Sequence, residues 1–368
     1  MQVLWLSPTL NHYKRRFLSL LSENGKIDVV VLAGTGRNSM GDVFTGQKPS
    51  FRLIQTPVSK ARFGFSVLVL REIIAAAPGC DWIMIPREKK NIPLICALLI
   101  LRWWWRLQGR SIRLVSYNHP ILKSGQGKVT ALDRTLTKLL YRAYDRIIFY
   151  TEQSRQKMVD EGYIAPEKAF WANNTIATNE VMQHYEFCYP PETPIQILFI
   201  GRLIANKRLK TCFAYYEALK AYMAKKGKDV ELVLIGDGPQ APLVQQSLEK
   251  DSSISWVGAI VEEDKIAPYM GNSSLVFNPG HSGLSINHAF VYGRPYATIE
   301  EGSHGPELDY IQDGTNGFLL QGDLDQDVNR LSDFLLDRTP AIYDAAWQSG
   351  QTLNVEAWVS QIEESLLA

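Results

Sequence analysis

The run Val276-Phe277-Asn278-Pro279-Gly280-His281-Ser282-Gly283-Leu284-Ser285-Ile286-Asn287-His288-Ala289-Phe290, closed by Gly293-Arg294-Pro295, reads as a strand, a glycine-bearing loop, a helix start and the entry to a second strand. A helix start set on such a loop offers amide hydrogens that have no intrahelical partner, together with the positive end of the helix dipole. Gly283, Leu284 and Ser285 are therefore a candidate phosphate cradle. A plain strand-to-helix connection has the same outline, so the neighbouring motifs carry the decision.

Two of them lie upstream. In Phe199-Ile200-Gly201-Arg202-Leu203-Ile204-Ala205-Asn206-Lys207-Arg208-Leu209, a glycine at a strand end permits close approach of a ligand, and Arg202 and Lys207 bring positive charge to where an open parallel sheet binds ligands. Arginine meets phosphate oxygens with paired donors and lysine adds a compact charge, which suits a diphosphate. An ordinary basic loop is the alternative. Leu234-Ile235-Gly236-Asp237-Gly238-Pro239 is a strand running into a tight glycine turn, a weak signal alone.

Outward from these motifs, strand-like runs alternate with helical patterns along the whole chain, the mark of parallel sheets covered by helices. In the first half the strands are expected at 3–7, 28–32, 82–85, 112–116 and 146–150, with helices at 13–23, 65–77, 94–108 and 132–144. Residues 34–57 read as a long loop or hairpin. The run Tyr189-Pro190-Pro191-Glu192-Thr193-Pro194 breaks regular structure. The second half repeats the alternation with strands at 195–200, 230–235, 254–257, 275–278 and 294–298. The expected fold is α/β, with two doubly wound Rossmann-like domains facing a cleft: 1–188, 195–350, and a last helix within 351–368 crossing back to the first domain. In that helix Val355, Trp358, Val359, Ile362 and Leu366 share one face.

With 368 residues, 46% of them apolar, the chain has material for two cores. Lys and Arg number 39 against 38 Asp and Glu, and a net charge of +1 argues against a general nucleic-acid binder. Cys80, Cys96, Cys188 and Cys212 lack metal-ligand spacing and read as buried apolar residues of a reducing compartment. The N-terminus lacks the pattern of a secretion signal, so a cytoplasmic protein is expected. The apolar stretch 92–101 is too short to span a bilayer, but Arg102-Trp103-Trp104-Trp105-Arg106-Leu107-Gln108-Gly109-Arg110 joins tryptophan to arginine as interfacial helices do. Two readings stand for it: a helix touching the inner face of a membrane through Trp103, Trp104 and Trp105, or a helix packed on its own sheet.

Taken in order, Gly-Arg-Leu with a lysine five residues on, Gly-Asp-Gly-Pro, the glycine loop, Ala-Phe-x-x-Gly-x-Pro, and Gly305-Pro306-Glu307 with Asn316-Gly317 resemble the family 4 retaining glycosyltransferases of the GT-B fold. The resemblance covers about residues 195–325 well and the first half more loosely. It implies transfer of a sugar from a UDP- or GDP-sugar to a saccharide or lipid-linked acceptor, in surface polysaccharide synthesis, with no cofactor. Arg202 and Lys207 would bind the donor diphosphate, the Gly283 and Leu284 amides its distal phosphate, with Gly201, Gly236 and Glu307 close by. Members of the family carry two glutamates around this loop, one facing the donor sugar and one gripping the nucleotide ribose. Here those positions are Gly280 and His288. His288 or Asn287 would then hydrogen-bond ribose hydroxyls, and His281 would meet the donor sugar. A transferase partner that binds donor without catalysis, and a nucleotide-sugar epimerase, remain the alternatives.

In the first half, Ser116-Tyr117-Asn118-His119-Pro120 resembles the family's sugar-contacting histidine loop, which makes His119 the leading catalytic candidate; a turn histidine before proline is the plain reading. Asn11 and His12 follow the first strand, where an acceptor is expected to enter. No Asp-x-Asp pair stands at a strand end, so metal-independent transfer is expected, with Arg202, Lys207 and helix-start amides neutralising the diphosphate.

Overall fold

The computed structural model describes residues 1–7, 10, 12–34, 49–56, 69–121 and 129–368, apart from the side chains of His12 and Tyr13. The chain runs β1 (Gln2–Ser7), α1 (His12–Glu23), β2 (Asp28–Gly34), β3 (Arg52–Thr56), α2 (Val69–Ala76), β4 (Trp82–Met84), α3 (Ile92–Leu107), β5 (Arg113–Tyr117), α4 (Ala131–Ala143), β6 (Arg146–Phe149), α5 (Glu152–Asp160) and β7 (Ala169–Trp171). It continues with α6 (Thr178–Met182), β8 (Ile195–Ile200), α7 (Leu209–Ala224), β9 (Val230–Ile235), α8 (Ala241–Lys250), β10 (Ile254–Gly258), α9 (Glu263–Asn272), β11 (Ser273–Phe277), α10 (Ser285–Val291), β12 (Tyr296–Ile299), β13 (Gly317–Leu320), α11 (Leu324–Asp337), α12 (Pro340–Thr352) and α13 (Val355–Leu367).

Two parallel sheets result, ordered β3-β2-β1-β4-β5-β6-β7 and β10-β9-β8-β11-β12-β13. Helices cover both faces, which is why a central strand such as β8 is buried at every position and reads as an unbroken run rather than an alternation. Of segment 34–57, read as a loop or hairpin, residues 35–48 and 57 lie outside the described residues, and the described end differs from that reading. That end is β3, an edge strand parallel to β2, with a burial pattern too polar to announce it. The short β7 and β13 likewise carry no signal of their own.

One unit comprises Met1–Asn173 with Val355–Ala368, and the other Asn174–Asn354. In the first, α13 lies on α1, and the five apolar residues that share its face are all buried. Trp358 sits 4.9 Å from Phe17 between ring centroids and donates from Nε1 to the Tyr117 hydroxyl at 2.9 Å. The division falls earlier than the expected break at 188–195. Residues 174–194 are anchored within the second unit: the buried Arg294 donates to the Tyr185 hydroxyl at 2.7 Å, and Phe187 stacks on Trp347 at 5.1 Å. The prolines end this strap; they do not separate it from the unit.

Helix α3 splits its tryptophans. Trp105 is 1% exposed and belongs to the core with Leu94, Ile95 and Leu98, whereas Trp103 is 65% exposed and shares the outer face with Ile100, Trp104 and Leu107. Helical geometry requires this, because 105 falls on the same face as 94 and 98 while 100, 103, 104 and 107 fall on the other. Arg102 is also committed, paired with Asp145 at 2.7 Å. Of the cysteines, Cys80 and Cys212 are buried, but Cys96 is exposed on the outer face of α3 and Cys188 is exposed in the strap. Among the described residues no helix is long and apolar enough to cross a membrane.

Candidate functional site

The second sheet changes direction between β8 and β11: the chain builds β9 and β10 on one side, then β11, β12 and β13 on the other. In open parallel sheets ligands bind beyond the strand carboxyl ends at such a switch point. Here the loops after β8 and β11 join. His281 N–H donates to the Asn206 carbonyl at 2.8 Å, and the Lys207 ammonium donates to the His281 carbonyl at 2.6 Å. Burial pulls the Lys207 amine down to about 8. Arg202 is exposed, and its guanidinium makes no hydrogen bond or ion pair among the described residues.

Glycine makes this convergence possible. A Cβ on Gly236 would overlap the Gly201 carbonyl, and one on Gly238 would stand 2.6 Å from the Leu203 carbonyl oxygen. Gly236 thus serves as a contact between two backbones. Gly280 is pressed against Asn206 and Lys207 so closely that no side chain fits. Arg208, which sequence reasoning passed over, takes a left-handed conformation (φ 53°) and brings its guanidinium beside Gly302.

The loop from 280 to 285 is held from below. Ser282 N–H donates to His304 Nδ1 at 3.2 Å while His304 Nε2 donates to the Ile299 carbonyl at 2.9 Å, an arrangement that fits only the neutral ring. Burial, followed by the nearby cations, lowers His304 to about 4. The His281 ring hydrogen-bonds the Ser303 carbonyl, and the Ser285 hydroxyl meets the Tyr296 hydroxyl at 2.8 Å. Glu307 is buried beneath the loop, where it accepts from the Asn174 amide, and burial raises its carboxyl above the ordinary range. The Gly283 and Leu284 amides donate to no described group.

Two expected ribose contacts separate. Asn287 donates to the Asn174 carbonyl at 3.0 Å, so its amide holds the 174–194 strap. His288 instead has Nε2 3.0 Å from Glu263 Oε2, and the Tyr292 hydroxyl donates to that same oxygen at 2.9 Å. Asn174 and Thr175 bond within their own unit, Thr175 to the Leu353 carbonyl.

In the first unit the switch point lies between β1 and β4. Asn11 lies outside the described residues; His12 opens α1 and its side chain lies outside them as well. His119 is exposed after β5, with its ring edge-on to Tyr150 at 5.1 Å. Beneath it is a residue the sequence did not announce: Arg87, 2% exposed, follows β4 and donates from Nη2 to the carbonyls of His119 (2.7 Å) and Pro120 (2.8 Å). Its guanidinium lies over the Tyr141 ring at 4.5 Å. Nε and Nη1 are buried without acceptors, and no described carboxylate pairs with the charge. A Pro-Arg turn after a strand that ends in methionine matches no motif.

With both sites described, residues 194–337 match the family described as "Glycosyl transferases group 1". Over 170 residues the chain is 28% identical to a GDP-mannose-dependent alpha-mannosyltransferase of Corynebacterium glutamicum, a match covering 45% of this chain and 37% of that protein. The chain therefore spans little more than a third of that relative's length. Among solved structures, the fold is similar to an apo lipopolysaccharide outer core galactosyltransferase (TM-score 0.69, 13% identity, 100% of this chain and 99% of that one). It is also similar to sucrose-phosphate synthase from Thermosynechococcus elongatus (TM-score 0.66, 16% identity, 99% and 98%). The family match is confined to residues 194–337, and what the chain shares with the solved structures is the fold of two parallel α/β sheets.

Proposed function

We propose that this protein is a retaining, metal-independent glycosyltransferase of family 4 that moves a sugar from a nucleotide-sugar to a saccharide or lipid-linked acceptor in surface polysaccharide synthesis. The observation that carries the reading is the union of the β8 and β11 loops at the switch point, where the Lys207 ammonium holds the His281 backbone beside amides that have no partner among the described residues. Cleavage of the sugar–phosphate bond leaves negative charge on the diphosphate. Lys207, Arg202, Arg208 and the Gly283 and Leu284 amides supply positive charge and donors for it, stronger there than in water because Lys207 is mostly buried. His281 meets the donor sugar; His119, set by Arg87, meets the acceptor end of the reaction.

The relative's use of GDP-mannose makes that the first donor to assay, followed by UDP-sugars. The exposed face of α3, with Ile100, Trp103, Trp104 and Leu107 beside the exposed Arg106 and Arg110, is proposed to rest on an anionic bilayer where a lipid-linked acceptor is found. Transfer from radiolabelled GDP-mannose or UDP-sugars to membrane-extracted acceptor, with and without EDTA, tests the proposal. Product in both conditions is expected. Tight donor binding without product would favour a non-catalytic partner, sugar inversion without acceptor an epimerase, and loss in EDTA restored by magnesium would remove metal independence.

A further inference from the structure

The second glutamate of the family pattern is replaced by His288, yet a carboxylate remains in contact with that position. Glu263, the first residue of α9, brings Oε2 to 3.0 Å from His288 Nε2 and accepts from the Tyr292 hydroxyl at 2.9 Å. The side chains of the pair are 10% and 11% exposed, so water screens the contact only weakly. A carboxylate that already accepts one hydroxyl proton orients the imidazole with Nε2–H toward it, which makes Nδ1 the acceptor of the ring. No described group donates to Nδ1. His288 lies one turn beyond Gly283 and Leu284, and α9 starts just after the carboxyl end of β10, so both residues belong to the same end of the sheet as the phosphate cradle.

We propose that Glu263 is a positioning residue for nucleotide recognition: through His288 it replaces the missing ribose-binding carboxylate, and Nδ1 accepts a hydrogen bond from a ribose hydroxyl of a nucleoside diphosphate. The inference rests on the nucleotide-sugar reading above. It turns the missing glutamate from a sign of decay into a displacement, in which the negative charge has moved from α10 to α9 and the imidazole spans the gap. Tyr292 donates to the same carboxylate oxygen and keeps it from turning away. Glu263 would look, in sequence alone, like one of several acids in the solvated run Glu262-Glu263-Asp264.

The test is calorimetric titration of the full chain with UDP, GDP and the 2′,3′-dideoxy form of each. The wild type is expected to prefer the ribonucleotide by about three- to tenfold, the yield of one neutral hydrogen bond. In Glu263→Gln that preference should disappear while the dideoxy nucleotide binds as before, because the diphosphate contacts are untouched. Adding His288→Glu to Glu263→Gln should restore the preference, since a carboxylate at 288 takes the hydroxyl directly. Equal wild-type affinity for ribo and dideoxy forms, or a preference that survives Glu263→Gln, overturns the inference and leaves the transferase reading intact. If neither UDP nor GDP binds the wild type, the nucleotide-sugar reading falls and this inference falls with it.

Discussion

The two switch points are built on opposite principles. In the second unit, the loops at the strand ends are locked by backbone against backbone: Gly236 on Gly201, Gly238 on Leu203, Gly280 on Asn206. Positive charge adds to that lock without being consumed by it: Lys207 spends one donor on the His281 carbonyl, and the exposed Arg202 makes no bond among the described residues. In the first unit, the charge itself does the locking, since Arg87 spends two donors on the carbonyls of the His119 turn and is left buried with no counter-ion among the described residues. A glycine lock costs little and tolerates nothing; a buried cation is expensive and can be exchanged. The two sites should therefore respond in opposite ways to substitution.

The sharpest break is at Gly236. Alanine there would strain a backbone at φ 140° and drive Cβ into the Gly201 carbonyl, with no flexible side chain to yield. Gly236→Ala is expected to cost about 3 kcal/mol or more, read by chemical denaturation. Gly280→Glu should fail for the same steric reason, because a Cβ there meets the backbone of Asn206 and Lys207. A Gly236→Ala protein as stable as wild type would show that these loops are not locked as described.

Next in size is the proposed diphosphate contact. Lys207→Ala and Arg202→Ala should each weaken nucleotide binding by about 1.5–3 kcal/mol, with Lys207 the larger because it is less hydrated. The pH dependence sharpens this. With its amine near 8 against an ordinary 10.5, native Lys207 holds fewer protons than the unfolded chain between those values, so its own contribution makes folding more favourable as pH rises through that window. Binding runs the other way: a diphosphate pulls the pKa back up, so complex formation takes up a proton. Affinity should fall as pH climbs past about 8, and that part of the decline should vanish in Lys207→Ala. A flat profile in the wild type would remove Lys207 from the phosphate site.

Much of the second site could be read from sequence because it is made of backbone turns, and glycine, proline and a following helix leave a pattern. The same holds for β8, β9 and α13, whose apolar spacing predicts their positions within a residue or two. What could not be read is made of side chains arriving from far along the chain. Glu263 on His288, Arg87 under His119 and the Tyr185–Arg294 anchor that assigns 174–194 to the second unit are pairings no local pattern encodes. The edge strand β3 was missed for a different reason: polar residues on a half-buried strand resemble a loop. Trp105 marks the limit in the other direction, where three adjacent tryptophans suggested one role and helical periodicity gave them two.

Arg87 tests the other half of the comparison. Arg87→Met removes donors from two carbonyls, at about 1–3 kcal/mol each, but it also removes an unpaired buried charge whose desolvation costs several kcal/mol. These contributions nearly offset, so the melting temperature should stay within a few degrees of wild type. Transfer should nonetheless fall roughly tenfold or more, because the turn that carries His119 loses both pins. Arg87→Lys, which keeps charge and one donor, should recover part of it. Unfolding of Arg87→Met would make the residue a structural necessity and erase the contrast with the glycine lock.

The smallest effect concerns the outer face of α3. Cys96, Ile100, Trp103, Trp104 and Leu107 follow one another at helical spacing on the exposed side, and Arg106 and Arg110 are exposed where the helix ends. From Lys89 to Leu132 the sequence contains no Asp or Glu. Tryptophan favours the headgroup region, and each arginine near an anionic surface contributes about 1 kcal/mol, an attraction that salt screens. Arg102 is left out of this sum because Asp145 already holds it, and Trp105 because it is core. Arg106→Glu/Arg110→Glu should therefore reduce co-sedimentation with phosphatidylglycerol-rich vesicles and remove its salt dependence without lowering thermal stability. Trp103→Ser/Trp104→Ser should weaken binding at every salt concentration, since its contribution is apolar. Trp105→Ser, the control, should instead destabilise the first unit by about 3–5 kcal/mol, the cost of emptying a buried tryptophan site. Wild-type protein that ignores anionic vesicles at low salt would end the membrane proposal and leave the acceptor free to be a soluble saccharide.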